Sequence, residues 1–200
     1  MANVHVIDTP ATELISLEEA RMHLYLDADG SPPTHPQDPL IETFITAARE
    51  IAERHCDARF GAWQLELRQA MFGVTIELPD APVIAVDSIG YIDTDGDAQT
   101  VDAEDYELAG TATAPVVRLV SGVSWPTDVA SQNDAVRVRY TAGYQVGSPH
   151  TLPAALKAAM LLLVGHLYVN RSAVEIGTIA TELPLGVFTL LQPYRRNLGV

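Results

Sequence analysis

Between Trp63 and Tyr144 the apolar residues of this chain recur with period two, and on both sides of that stretch they recur with period three to four. Trp63, Leu65 and Leu67 alternate with polar residues, as do Val74, Ile76 and Leu78, and then Val136, Val138 and Tyr140. Period two belongs to a pleated strand with one face buried, and the helical period cannot serve as one. Further extended runs are expected at 83–92, 106–108 and 116–120. Asp93-Thr94-Asp95-Gly96-Asp97, lying between extended runs, supplies the backbone freedom of a hairpin turn.

Before this stretch, Ser16-Leu17-Glu18-Glu19 has the form of a capping box and predicts a short helix to about Leu26. Prolines at 32, 33, 36 and 39 interrupt regular structure after it and make the next segment a connector. Asp38-Pro39 then starts a second helix, in which Leu40, Ile41, Phe44, Ile45, Ala48, Ile51 and Ala52 form the apolar side. Its charged side, with Glu42, Arg49, Glu50, Glu53 and Arg54, is expected to be solvated. After the β stretch, 152–170 is apolar all round with Lys157 its one Lys, Arg, Asp or Glu, which predicts a helix buried on every side. It falls short of the roughly 20 clean apolar residues of a membrane span. A last helix is expected over 184–195, with Leu185, Phe188, Leu191 and Tyr194 on one stripe and Arg195-Arg196 at its end.

The expected fold is therefore α+β, a helical body carrying a small inserted antiparallel β subdomain. The boundaries are an N-terminal arm at 1–15, the body at 16–62 and 150–182, the β insertion at 63–149, and a C-terminal helix and tail at 183–200.

Charge narrows the function. Twelve Lys and Arg stand against 26 Asp and Glu, a net −14, so the surface repels phosphate and does not grip nucleic acid. A hydrophobic share of 48% is enough for a packed core. The single Cys56 can form no internal disulfide and reads as a buried structural thiol. The first residues lack the basic start and apolar run of a signal peptide, so the chain is expected to stay in the cytoplasm where it is made.

Catalytic constellations are hard to find. Asp93, Asp95, Asp97 and Glu104 occupy the first, third, fifth and twelfth places of a calcium-loop pattern. Ala98, however, stands where that loop needs glycine, and the flanks are extended, so a solvated hairpin turn is the better reading. The six histidines show no HExxH or comparable metal-ligand spacing, and His166 on the apolar helix reads as a hydrogen-bonded core residue. Ser148-Pro149-His150 brings a hydroxyl near an imidazole without the GxSxG elbow of a nucleophile, and no phosphate-binding glycine loop occurs. Neither enzyme activity nor a cofactor is expected.

The order of segments resembles the tailed-phage head-tail connector family, also called adaptor or head-completion proteins. The stretches that carry the resemblance are Ser16-Leu17-Glu18-Glu19-Ala20 with His23-Leu24, Leu40-Ile41 with Ala47-Ala48-Arg49, and Glu77-Leu78-Pro79 with Pro82-Val83. They continue in Val138-Arg139-Tyr140-Thr141-Ala142-Gly143-Tyr144, Leu152-Pro153-Ala154-Ala155-Leu156-Lys157-Ala158-Ala159 and Leu190-Leu191-Gln192-Pro193-Tyr194-Arg195. Together they cover 16–196, and the proline-rich loop at 31–39 is longer than the family pattern.

The resemblance implies a structural virion protein at the head-tail interface, in a ring of usually twelve copies beneath the portal protein. Such a ring prolongs the DNA channel, lets DNA pass without specific binding, and receives a tail-side stopper or tail-terminator protein. A tail-side ring or tail-terminator protein is the alternative, and a metal-dependent or hydrolytic enzyme a more distant one. Contacts between ring neighbours are expected on Glu42, Arg49, Glu50, Glu53 and Arg54. Portal contacts are expected on Leu185, Phe188, Leu191, Tyr194, Arg195 and Arg196, unless that stripe lies on the protein's own core.

Overall fold

The capping box at Ser16 forms as its sequence demands. The Glu19 amide donates to the Ser16 hydroxyl at 3.1 Å, and the Ser16 amide donates to the Glu19 carboxylate at 3.1 Å. It opens helix α1, Leu17–His23. Helix α2, Asp38–Cys56, begins with proline in its first turn and turns Ile41, Ile45, Ala48, Ala52 and Cys56 inward. Helix α3 is Ala154–Val169, and helix α4, Leu185–Leu191, runs into a 3-10 turn at Gln192–Tyr194. The computed structural model describes residues 3–145, 151–171 and 185–195.

These helices belong to one of two compact units, made of Thr12–Ala58 and Leu152–Val200. Its core joins Ile41, Ile45 and Ala52 of α2 with Leu156, Met160 and Leu163 of α3 and Val187 and Leu191 of α4. Full burial of a leucine or isoleucine contributes about 1.5–3 kcal/mol, which a seven-residue helix such as α4 needs because it is marginal by itself. The α3 helix is not buried on every side. Ala154, Ala158 and Leu162, four residues apart, are exposed together with Val169.

The other unit, Met1–Ala11 with Arg59–Thr151, holds the strands. They are β1 (Asn3–Asp8), β2 (Trp63–Gln69), β3 (Ile76–Glu77), β4 (Val83–Ile92), β5 (Ala98–Thr100), β6 (Tyr106–Thr111), β7 (Ala114–Leu119) and β8 (Val136–Ala142). Five form one sheet in the order β1-β2-β8-β4-β5 and three form a second in the order β3-β7-β6. Every pairing is antiparallel. Leu65, Leu67, Ile89, Val138 and Tyr140 of the larger sheet share one core with Ile76 and Val117 of the smaller.

A helical body with a small β insertion is therefore not what the chain builds. Among the described residues strands take nearly as many residues as helices, and they form two sheets of their own around a full core. The expectation failed at the short and exposed strands. β5 is exposed at all three residues and β1 is mostly exposed, so neither carries the alternation of a half-buried strand. β1 also comes from the segment expected to be a free N-terminal arm, and it pairs Val4 with Leu67. Val74, expected on a strand, lies in a loop and is 94% exposed.

Candidate functional site

The charged side of α2 is not uniform. Glu42, Glu50 and Arg54 are exposed as expected, but Arg49 and Glu53 are buried. The Arg49 guanidinium bonds the Glu13 carboxylate through Nε at 2.9 Å and the Glu53 carboxylate through Nη1 at 2.9 Å. The Thr46 hydroxyl donates to Glu13 as well, at 2.9 Å. Arg49 is thus a clasp inside its own unit, and the five charged residues do not make one contact face.

The C-terminal stripe lies against its own chain. Leu191 is fully buried, Phe188 packs on the His55 ring at 4.7 Å between centroids, and the Leu191 carbonyl accepts from the Cys56 thiol at 3.6 Å. Tyr194 is half-buried and Arg195 exposed; the Leu185 side chain and Arg196 lie outside the described residues. Val187, absent from the expected stripe, is fully buried. Burial pushes the Cys56 thiol up to about 11 against a smaller opposing pull from Arg195, which keeps it protonated and unreactive at neutral pH.

Asp93 organises the hairpin turn. One carboxylate oxygen accepts from the amides of Asp95 and Asp97 at 3.0 and 2.9 Å, and the other accepts from the Gln99 side chain at 2.7 Å. The Gln99 bond, then the Asp97 amide, hold its carboxyl below the usual range. Glu104 belongs to a separate turn, where its amide donates to Asp102. Among the described residues no three His, Cys, Asp or Glu side chains are grouped to hold a metal. His166 is half-buried in the last turn of α3, with its ring nitrogen 3.2 Å from the Asn170 side-chain amide. Ser148 and His150 lie outside the described residues.

One buried charge in the sheet has no signature in the sequence. Glu66 of β2 has a side chain only 2% exposed, between Arg68 Nε at 2.7 Å and Arg139 Nε at 2.8 Å. Burial raises its pKa, but the bonds from Arg139 and Arg68 outweigh burial and the carboxyl lies below its ordinary value. A carboxyl lowered in the folded state stabilises fully above its ordinary value, and that contribution fades as pH falls through the folded one. Wild type should therefore lose stability in acid below about pH 4.5, and Glu66→Gln should lose less over the same window in urea melts taken at stepped pH. Equal acid losses in the two proteins would show that Glu66 carries no such linkage.

No family model matches the chain, and no curated protein matches it. Solved structures do share its fold. A chain from the neck of an empty GTA particle computed with C6 symmetry superposes with a TM-score of 0.74 at 23% identity, over 99% of this chain and 98% of that one. A chain from the virion of a native gene transfer agent particle gives 0.71 at 24% identity over 98% of each. A chain from the neck of the native particle computed with C12 symmetry gives 0.70 at 23%, over 99% of this chain and 98% of that one.

Proposed function

We propose that this chain is a structural, non-catalytic neck component of a phage-like particle. It assembles as a ring beneath the portal, extends the DNA channel, and receives the next tail-side component, a stopper or tail-terminator protein. The observation that carries this is the full-length likeness to chains from necks of GTA particles, both units included. Twelve copies is the number that the connector resemblance implies, and one neighbouring neck was computed with C12 symmetry. A net charge of −14 per copy suits a conduit through which DNA slides without sticking. The exposed apolar row Ala154, Ala158 and Leu162 of α3 is a face that a neighbouring copy in a closed ring would cover. Glu42, Glu50 and Arg54, still exposed, stand as further candidate contacts between neighbours.

Particles made without this chain test the reading. They should package DNA, then lose it, and carry no tails, while added protein should form a ring under the portal visible by electron microscopy. Tailed particles that retain DNA in its complete absence would remove the connector role.

A further inference from the structure

On the outer side of the five-stranded sheet, β2 and β8 bring three arginines together. Leu65 and Leu67 of β2 and Val136, Val138 and Tyr140 of β8 point into the core, so the residues between them point outward. The register sets Arg68 directly opposite Arg137 and Glu66 opposite Arg139. Like charges directly opposite one another on neighbouring strands destabilise a sheet, and the single carboxylate among these four residues does not offset three cations. Glu66 is taken by Arg68 and Arg139. Arg137 has Asp134 at 3.5 Å, and its buried Nε has no hydrogen-bond partner among the described residues. The side chains of Arg137 and Arg139 are 41% and 59% exposed. A chain of net −14 thus carries a cationic surface that its own carboxylates only partly answer.

The matching surface lies on the same chain, at the edge of the same sheet. β5 is the last strand on that side and is exposed along its whole length. Asp95 and Asp97 precede it, and Asp102 and Glu104 follow it. All four are exposed, and none is in an ion pair among the described residues. A closed ring of identical copies is built from two different, complementary surfaces on each copy. An arginine face and a carboxylate edge are such a pair, and their opposite charge fixes the register in which they meet.

We propose that Arg137 and Arg139 of one copy receive the carboxylates flanking β5 of the next copy. This rests on the ring reading given above. The occupant is a second copy because every copy carries the unpaired carboxylates that match these arginines, on a surface distinct from the arginine face. DNA, by contrast, would have to approach the arginines against a net charge of −14. Guanidinium groups with donors to spare take carboxylates in a fixed geometry, which suits a contact repeated around a ring.

The test uses the full-length protein and sizing of the assembled rings. Arg139 is left in place because it holds Glu66. Arg137→Glu makes both surfaces acidic, and Asp95→Lys with Asp97→Lys and Glu104→Lys makes both basic. Each protein by itself should melt close to wild type, and each should need about tenfold more protein or greater to form rings. Arg137→Gln should shift assembly in the same direction by less. Mixed in equal amounts, the acidic and the basic variants should form rings again, with the two alternating, because each meets the opposite charge on both sides. Misfolding of either variant cannot produce that rescue. Wild-type rings should weaken as salt rises. Rings that form as readily in both variants as in wild type overturn the proposal. So do two variants that melt as wild type does, lose their rings and do not recover on mixing. Normal rings in Arg137→Glu with weaker binding to duplex DNA also overturn it, and would give the arginines to phosphate. A wild-type chain that forms no ring, alone or with the portal, removes the ring reading itself and this contact with it.

Discussion

Gly143→Ala should remove much of the stability of the sheet unit. Gly143 follows β8 with φ at 113°, and its amide donates to the Pro82 carbonyl at 2.7 Å. A Cβ built there would stand 1.7 Å from the Gly61 carbonyl oxygen and 2.8 Å from its carbon. Both are backbone atoms, so no side-chain rotation relieves the clash. Making room would push apart the segments around Gly61 and Gly143, which close one end of the larger sheet. Backbone strain and this displacement together should cost about 3–5 kcal/mol, a large share of the stability of a domain this size. Gly96→Ala is the control: its φ is 93°, and an added Cβ meets nothing within 4 Å, so only the left-handed penalty of about 1–2 kcal/mol applies. Urea midpoints measured side by side decide it. Equal shifts in the two variants would mean that the approach of Gly143 to Gly61 does not constrain the fold.

What could be read from the sequence was local. Ser16 and Glu19 make their reciprocal bonds because both partners lie within four residues, and Leu65 and Leu67 announce a strand by alternation alone. The hairpin at 93–97 was legible for the same reason, since Asp and Gly set its backbone whatever surrounds it. What escaped depends on distant partners. β1 has its register fixed by β2, some sixty residues later, and without that neighbour its pattern is that of an arm. Arg49 reads as a surface cation on a helical wheel, and it turns inward only because Glu13 closes over it. The C-terminal stripe was correctly apolar, but periodicity cannot say whose core it fills; Val187 and Leu191 lie in that of their own chain.

The division of the α2 charges predicts opposite results for two arginines that look equivalent in the sequence. Arg49→Glu would place a third carboxylate against Glu13 and Glu53 in a site where the arginine side chain is only 8% exposed. Breaking a buried ion pair from one side leaves the partner charges desolvated and uncompensated, at a cost of about 3–5 kcal/mol. The expected outcome is a protein that is largely unfolded or insoluble, so its failure to assemble would say nothing about an interface. Arg54→Glu changes an exposed residue, and surface substitutions of that kind stay within about 0.5 kcal/mol. That variant should melt as wild type does, so on the ring reading proposed above a defect in ring formation is assigned to contact with a neighbouring copy. Thermal melts paired with sizing of the assembled rings separate the two. A stable, ring-forming Arg49→Glu would mean that the clasp with Glu13 and Glu53 contributes nothing to the helical unit. Replacing Arg49 by methionine while Glu13 and Glu53 become glutamines should restore much of the lost stability, because the buried charge, rather than the side-chain volume, is what the reversal leaves unpaired.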